Sequence, residues 1–220
     1  MLAPDMIINE NGAYVYIWRQ WLSSDQAIGL YQTLKEHMPW EQKSFNMYNR
    51  IVQEPRLTLA LGDPGLHHDY TGIKSASQIR SSALAELFTR PVLNWHDPTN
   101  QAVPGVVAIQ QLARAISPYA GDGVFNAALL NYYRDDKDHI SYHSDKETSK
   151  RQSTVVGLSL GGSRQFYLKR KMAPFEVIKT IVHNGDLMVM AGSCQQHWTH
   201  SVPKLVGAPA RISITYRLLD

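Results

Sequence analysis

Two histidines and an aspartate carry the strongest chemical signal in the chain: His143-Ser144-Asp145, and His200 57 positions after the first histidine. Side chains two apart on a strand share a face, so His143 and Asp145 can aim into one barrel mouth, where a later strand can deliver His200. Two imidazoles and one carboxylate on one side of an ion leave about three coordination positions open, the arrangement of non-haem iron(II) oxygenases. A bidentate 2-oxo acid and dioxygen would fill those positions. Zinc also accepts two histidines and an aspartate, and His-x-Asp often marks nothing more than a polar strand end. The triad alone leaves those readings open.

Arg211 and Arg217 narrow the choice. They lie 11 and 17 residues after His200 in Arg-Ile-Ser-Ile-Thr-Tyr-Arg, and their even spacing puts both on one face of a strand whose other face carries Ile212, Ile214 and Tyr216. A guanidinium pointing into a barrel is costly unless it meets an anion, and its fork matches a carboxylate. A zinc hydrolase would leave this pair without a purpose.

The elements needed to position these groups are legible in outline. Ala13 to Trp18 reads as a strand. Ser23 and Gln26 form a capping box ahead of Ala27, Leu30, Tyr31, Leu34 and Met38 at helical spacing, and Pro39 ends that helix. Trp40 to Gly72 is a mixture of short extended pieces, a brief helix follows the serines near 75–82, and Pro91 to Gly105 reads as an exposed loop. Val106 to Ile116 is a second amphipathic helix. From Val124 onward the pattern becomes short strands: Val124–Tyr133, Thr154–Leu160, Gln165–Lys169, Phe175–Ile181, Asp186–Met190 and Arg211–Leu218. Gly161-Gly162-Ser163 and Asn184-Gly185 read as hairpin turns. Regular strands without intervening helices predict an antiparallel sandwich or barrel. The expected fold is α+β but mainly β: an N-terminal helical and loop layer (1–122) on a C-terminal jelly roll (123–220), in one domain.

Composition agrees with a globular protein. Of 220 residues 44% are hydrophobic, and no apolar run approaches the ~20 residues that span a bilayer. The expectation is a soluble, intracellular monomer. The single cysteine, Cys194, excludes an intrachain disulfide and any multi-thiolate metal site, and its type favours a buried apolar role. The net charge of +3 is mild, but Lys146 to Lys171 holds seven basic residues against one acid, Glu147, a stripe that could track phosphates or form a solvated face.

Taken in order, these residues resemble the AlkB family of nucleic-acid dealkylating dioxygenases, most of all its duplex-DNA-repair branch. The similarity covers roughly residues 45–72 and 123–217. It is carried by Pro55-Arg56, Gly62-Asp63-Pro64-Gly65-Leu66, Tyr70-Thr71-Gly72, Asn131-Tyr132-Tyr133, Asp138-His139-Ile140, His143 to Glu147, Ser159-Leu160-Gly161, His197 to Pro203, and Arg211 to Arg217. The resemblance implies a double-stranded β-helix in which His143, Asp145 and His200 ligate iron(II). It also implies that Asn131, Tyr133, Arg211 and Arg217 hold 2-oxoglutarate. Substrate contacts would come from Tyr70, stacking on an extruded base, from Glu147 near its exocyclic amino group, from Arg56, and from Tyr48 as a wedge in the gap left behind.

The implied reaction is oxidative demethylation of N1-methyladenine or N3-methylcytosine in DNA, and possibly RNA, with oxygen as co-reactant. These lesions are cationic, and a cation between an aromatic ring and a carboxylate is stabilised. Residues 73–105 depart from the family pattern, which leaves strand preference open. The alternatives are the same enzyme class acting on RNA modifications or protein side chains, and a non-catalytic nucleic-acid-binding jelly roll.

Overall fold

The computed structural model describes residues 3–47, 50–69, 89–119, 124–145 and 154–219. The expected brief helix at 75–88 lies outside them. The chain opens with a hairpin that sequence reading passed over. Asn11 and Gly12 both take positive φ, 48° and 74°, and join β1 (Asp5–Glu10) to β2 (Ala13–Trp18). Asn-Gly is the dipeptide that tolerates this two-residue turn, because both positions need the left-handed region. The capping box then forms as expected: the Ser23 hydroxyl accepts from the Gln26 amide, and the Gln26 side chain accepts from the Ser23 amide. It opens α1 (Ser24–His37), and Pro39, which cannot donate a backbone hydrogen bond, follows its end.

Next come β3 (Ser44–Met47) and β4 (Arg50–Gln53), paired as a separate hairpin, then β5 (Leu57–Gly62), β6 (His67–Asp69), β7 (Thr89–Pro91) and β8 (Leu93–Asn94). Two helices follow, α2 (Pro98–Gln101) and α3 (Val106–Ile116), and then β9 (Ala127–Tyr133), β10 (Ile140–His143), β11 (Val155–Gly161), β12 (Arg164–Arg170) and β13 (Val177–Val182). The chain closes with β14 (Leu187–Gly192), the single turn α4 (Cys194–His197), β15 (Trp198–Val202) and β16 (Arg211–Arg217).

Two sheets face each other. The larger has eight strands in the order β1-β2-β14-β11-β16-β9-β5-β8, and the smaller has four, β10-β15-β12-β13. On the outer side of the large sheet Leu34 of α1 and Ile109, Ala113 and Ile116 of α3 join Leu158, Leu160, Ile212 and Ile214 in one buried cluster. Each leucine or isoleucine side chain contributes about 1.5–3 kcal/mol when removed from water. Between the sheets lies a second cluster that includes Val15, Ile17, Tyr133, Phe166, Leu168, Met188 and Val202. Strand alternation gives β16 two faces: Ile212, Ile214 and Tyr216 join the helix-side cluster, and Arg211 and Arg217 face the interior between the sheets.

Several expectations need correction. Gly161-Gly162-Ser163 and Asn184-Gly185 are not hairpin turns: the first carries the chain from β11 in the large sheet to β12 in the small one, and the second returns it from β13 to β14. Glycine is still required at this crossing, because Gly161 has φ of 80° and a Cβ on Gly162 would lie 2.8 Å from the Pro209 carbonyl oxygen. The stretch from Pro91 to Gly105 is not simply an exposed loop, since it contains β8 and α2 and buries Trp95, whose Nε1 donates to Asp63 at 2.7 Å. Nor is there a layer boundary at 122: β2 pairs with β14 and β5 with β9, so the first half supplies four strands of the large sheet. Among the described residues no helix is long and apolar enough to cross a membrane.

Candidate metal and cosubstrate site

β10 and β15 pair directly at His143 and His200, which is why residues 57 positions apart meet. Their ring centroids lie 4.3 Å apart. Asp145 follows the end of β10, and one ligand atom from each of the three residues lies within 4.8 Å of the others. The small sheet thus supplies both histidines from two adjacent strands, and the segment just past β10 supplies the aspartate.

Each group is held from behind. His143 Nδ1 lies 2.9 Å from the Ser141 carbonyl oxygen, which can only accept, so the proton sits on Nδ1 and Nε2 is left with its lone pair. The Phe166 ring stacks on His200 at 5.4 Å. Asp145 Oδ1 accepts from Arg217 Nη2 at 2.9 Å, its backbone amide donates to Gln195 Oε1, and the neighbouring Ser144 hydroxyl donates to the Trp198 carbonyl. Burial pushes the His143 pKa down against the pull of Asp145, and burial together with His143 pushes His200 down to about 3. Both imidazoles are therefore neutral at physiological pH, as metal ligation requires. Two neutral imidazoles and a carboxylate, converged and braced, fit a divalent cation with open positions.

The pocket beside the triad is lined from both sheets, with Asn131, Tyr133, Ser159, Arg211, Ser213 and Arg217 among its walls. Arg211 is 4% exposed; its Nε donates to the Ser159 hydroxyl at 2.9 Å, and its Nη1 is buried without a hydrogen-bond partner among the described residues. Among the described residues no carboxylate pairs with it, and burial lowers its pKa. A buried cation with an unused donor facing a cavity fits the carboxylate of a diacid. Tyr133 lies beside it, with the Arg211 guanidinium 5.4 Å from its ring centre.

The structure thus brings together seven of the residues singled out from sequence: His143, Asp145, His200, Asn131, Tyr133, Arg211 and Arg217. Arg217, however, spends one nitrogen on Asp145, so it braces the triad as well as closing the wall. Arg56 was expected among the substrate contacts. It is 3% exposed, ion-paired with Glu54 at 2.5 Å, and its Nε donates to Asn131 Oδ1 at 2.8 Å, so it orients Asn131 from behind. Tyr48, Tyr70 and Glu147 lie outside the described residues, as do Lys146, Lys150 and Arg151 of the basic stripe. Of the rest of that stripe, Arg164 is fully buried and Arg170 is ion-paired with Glu10 and Glu176, so it is not one continuous basic surface.

Sequence reading missed Ser159, Phe166, Gln195 and Ser213. Ser213 was available from the even spacing that gave Arg211 and Arg217, and Ser159 pairs with it across the sheet. Gln195 carried no signal, because its role depends on a helical turn of four residues that places it under Asp145.

Comparison with known proteins agrees with this geometry. A family model described as the 2OG-Fe(II) oxygenase superfamily matches residues 14–217. The chain is 28% identical over 202 residues to alpha-ketoglutarate-dependent dioxygenase alkB homolog 3 of Bos taurus, covering 87% of this chain and 61% of that protein. It is 24% identical over 229 residues to DNA oxidative demethylase ALKBH2 of Arabidopsis thaliana, covering 93% and 66%. The chain thus spans less than two thirds of the length of these curated relatives. The solved structure of OsALKBH1 aligns with a TM-score of 0.52 at 17% identity, covering 96% of this chain and 99% of that one, a likeness of fold.

Proposed function

The chain belongs to the 2OG-Fe(II) oxygenase superfamily, within its AlkB family, and from that premise we propose that it oxidatively removes alkyl groups from nucleic-acid bases. The observation that carries the reading is one cavity with two complementary ends: three convergent metal ligands at one, and a buried guanidinium with an unused donor at the other. A five-carbon 2-oxo diacid bridges such a pair of ends, and neither a zinc hydrolase nor a passive binding module has use for both.

In this reading His143, Asp145 and His200 hold iron(II), and Arg211 anchors the distal carboxylate of 2-oxoglutarate with Tyr133 beside it. Arg217 and Asn131 close the wall, Asn131 being oriented by Arg56. When bound, the iron with 2-oxoglutarate and dioxygen supplies the oxidant, and the 2-oxo acid leaves as succinate and carbon dioxide. The chain's own contribution is position and exclusion of water. The apolar side chains of Leu129, Phe166, Met188 and Met190 line the cavity and keep it dry. Hydroxylation of the N-alkyl carbon gives a hemiaminal that collapses to an aldehyde and the unmodified base. Tyr70 and Glu147 are the proposed holders of the base, through stacking and through attraction to a cationic lesion.

The test is anaerobic reconstitution with iron(II) and 2-oxoglutarate, followed by oxygen and mass spectrometry of oligonucleotides bearing one N1-methyladenine or N3-methylcytosine. Loss of the mass of one CH2 unit with stoichiometric succinate is expected, and parallel single-stranded DNA, duplex DNA and RNA substrates identify the preferred class. Succinate formation that no alkylated nucleic acid stimulates would overturn the proposed substrate while leaving the enzyme class standing.

A further inference from the structure

Arg164 opens β12, in phase with Phe166 and Leu168, so its side chain points between the sheets with theirs. It has no exposed surface at all, yet among the described residues its Nε and Nη1 have no hydrogen-bond partner, and Nη2 alone is bonded, to the Asp135 carbonyl oxygen. Its guanidinium lies 5.6 Å from the centre of the Tyr133 ring, the ring that Arg211 approaches at 5.4 Å. Two buried guanidiniums therefore share one tyrosine at the diacid end of the pocket. The carboxylates that act on Arg164 from outside are Asp135, Asp136 and Asp138. None of them bonds it, and Asp138 is held by Arg134.

A buried cation with two unused donors is costly unless an anion compensates it. Arg164 does not line the cavity, so direct contact with a ligand is not its part. We propose that Arg164 is a positioning residue for the cosubstrate: it fixes the Tyr133 ring and places a second positive charge behind Arg211, so that preference for a diacid over a monoacid rests on the pair. The inference depends on the proposed use of 2-oxoglutarate. Fixed charge in a low-dielectric interior acts over such distances without reorganising, which makes it a selector of ligand charge.

The experiment measures binding of two 2-oxo acids to the Mn(II)-loaded protein by titration calorimetry, without turnover. 2-Oxoglutarate and 2-oxopentanoate present the same chelating end and differ in the distal carboxylate. Arg164→Met is expected to weaken 2-oxoglutarate about tenfold and leave 2-oxopentanoate within about twofold. Arg164→Gln, which also removes the charge but keeps polar donors, should lose the preference in the same way, and it serves if the methionine variant does not fold. Equal weakening of both acids would show that Arg164 only supports the 134–138 loop, and no change in either would show that its charge is not felt; each result overturns the proposal. If the wild-type protein bound neither acid, the assigned cosubstrate itself would fail and this proposal with it. A wild-type preference for the diacid that survives in both variants rejects the proposal alone.

Discussion

The two ends of the pocket are built on opposite principles. At the metal end every group has an assigned neighbour: Ser141 for His143, Phe166 for His200, Arg217 and Gln195 for Asp145. At the diacid end Arg211 and Arg164 are buried with three guanidinium nitrogens unused between them. One end is braced in advance so that a metal finds its ligands in place, and the other holds a charge that no carboxylate among the described residues compensates and that an anionic ligand would. The contrast teaches that the metal end should contribute to the stability of the empty protein, whereas the diacid end should detract from it.

The largest effect should follow from breaking the metal end. His143→Ala or Asp145→Ala should abolish iron binding and turnover, a loss beyond the ~10–100-fold that removing a group behind a ligand costs, with circular dichroism showing the fold retained. Next is Arg217→Met, which takes the bonded guanidinium from Asp145. It should cost about 10–100-fold in metal affinity and lower the melting temperature of the metal-free protein, because it leaves a buried carboxylate with less compensation. Arg211→Met sharpens the comparison by having the opposite sign. It should weaken 2-oxoglutarate about 10–100-fold, as expected for a lost charge-assisted hydrogen bond, yet leave the melting temperature of the empty protein unchanged or raised. If both arginine variants melted lower by the same amount, the two ends would not differ as described.

The smallest effect concerns pH. The folded-state pKa of His143 is lowered, and that of His200 is lowered to about 3, against an ordinary 6.5. The unfolded chain then binds more protons between those values, so this contribution is fully present above about pH 6.5 and is lost as pH falls toward 3. Melting of the metal-free protein should therefore drop across that window by several degrees, and His200→Gln should flatten the drop.

Much of this was legible before any coordinates. The triad and the arginine pair announce themselves through parity, because the period of a strand is two and Ile212, Ile214 and Tyr216 fix which face is which. The capping box and α3 were readable for the same local reason. What escaped was non-local. The glycine pairs at 161–162 and 184–185 signal a reversal equally well whether the chain turns back within a sheet or crosses to another, and only the pairing of β11 with β14 and β16 decides. Arg56 reads as a substrate contact and Arg164 as one member of a basic stripe, since nothing in the local sequence reveals that Arg56 engages Glu54 and Asn131 and that Arg164 lies against Tyr133. Asn11-Gly12, by contrast, was a plain hairpin signal passed over.

The central claim is that one small molecule engages both ends at once. Anaerobic calorimetric titration of 2-oxoglutarate into the protein with and without iron(II), beside glutarate, which lacks the chelating oxo group, tests it directly. The account predicts that iron tightens 2-oxoglutarate at least about tenfold and leaves glutarate unchanged. Equal affinity for 2-oxoglutarate with and without the metal would contradict it.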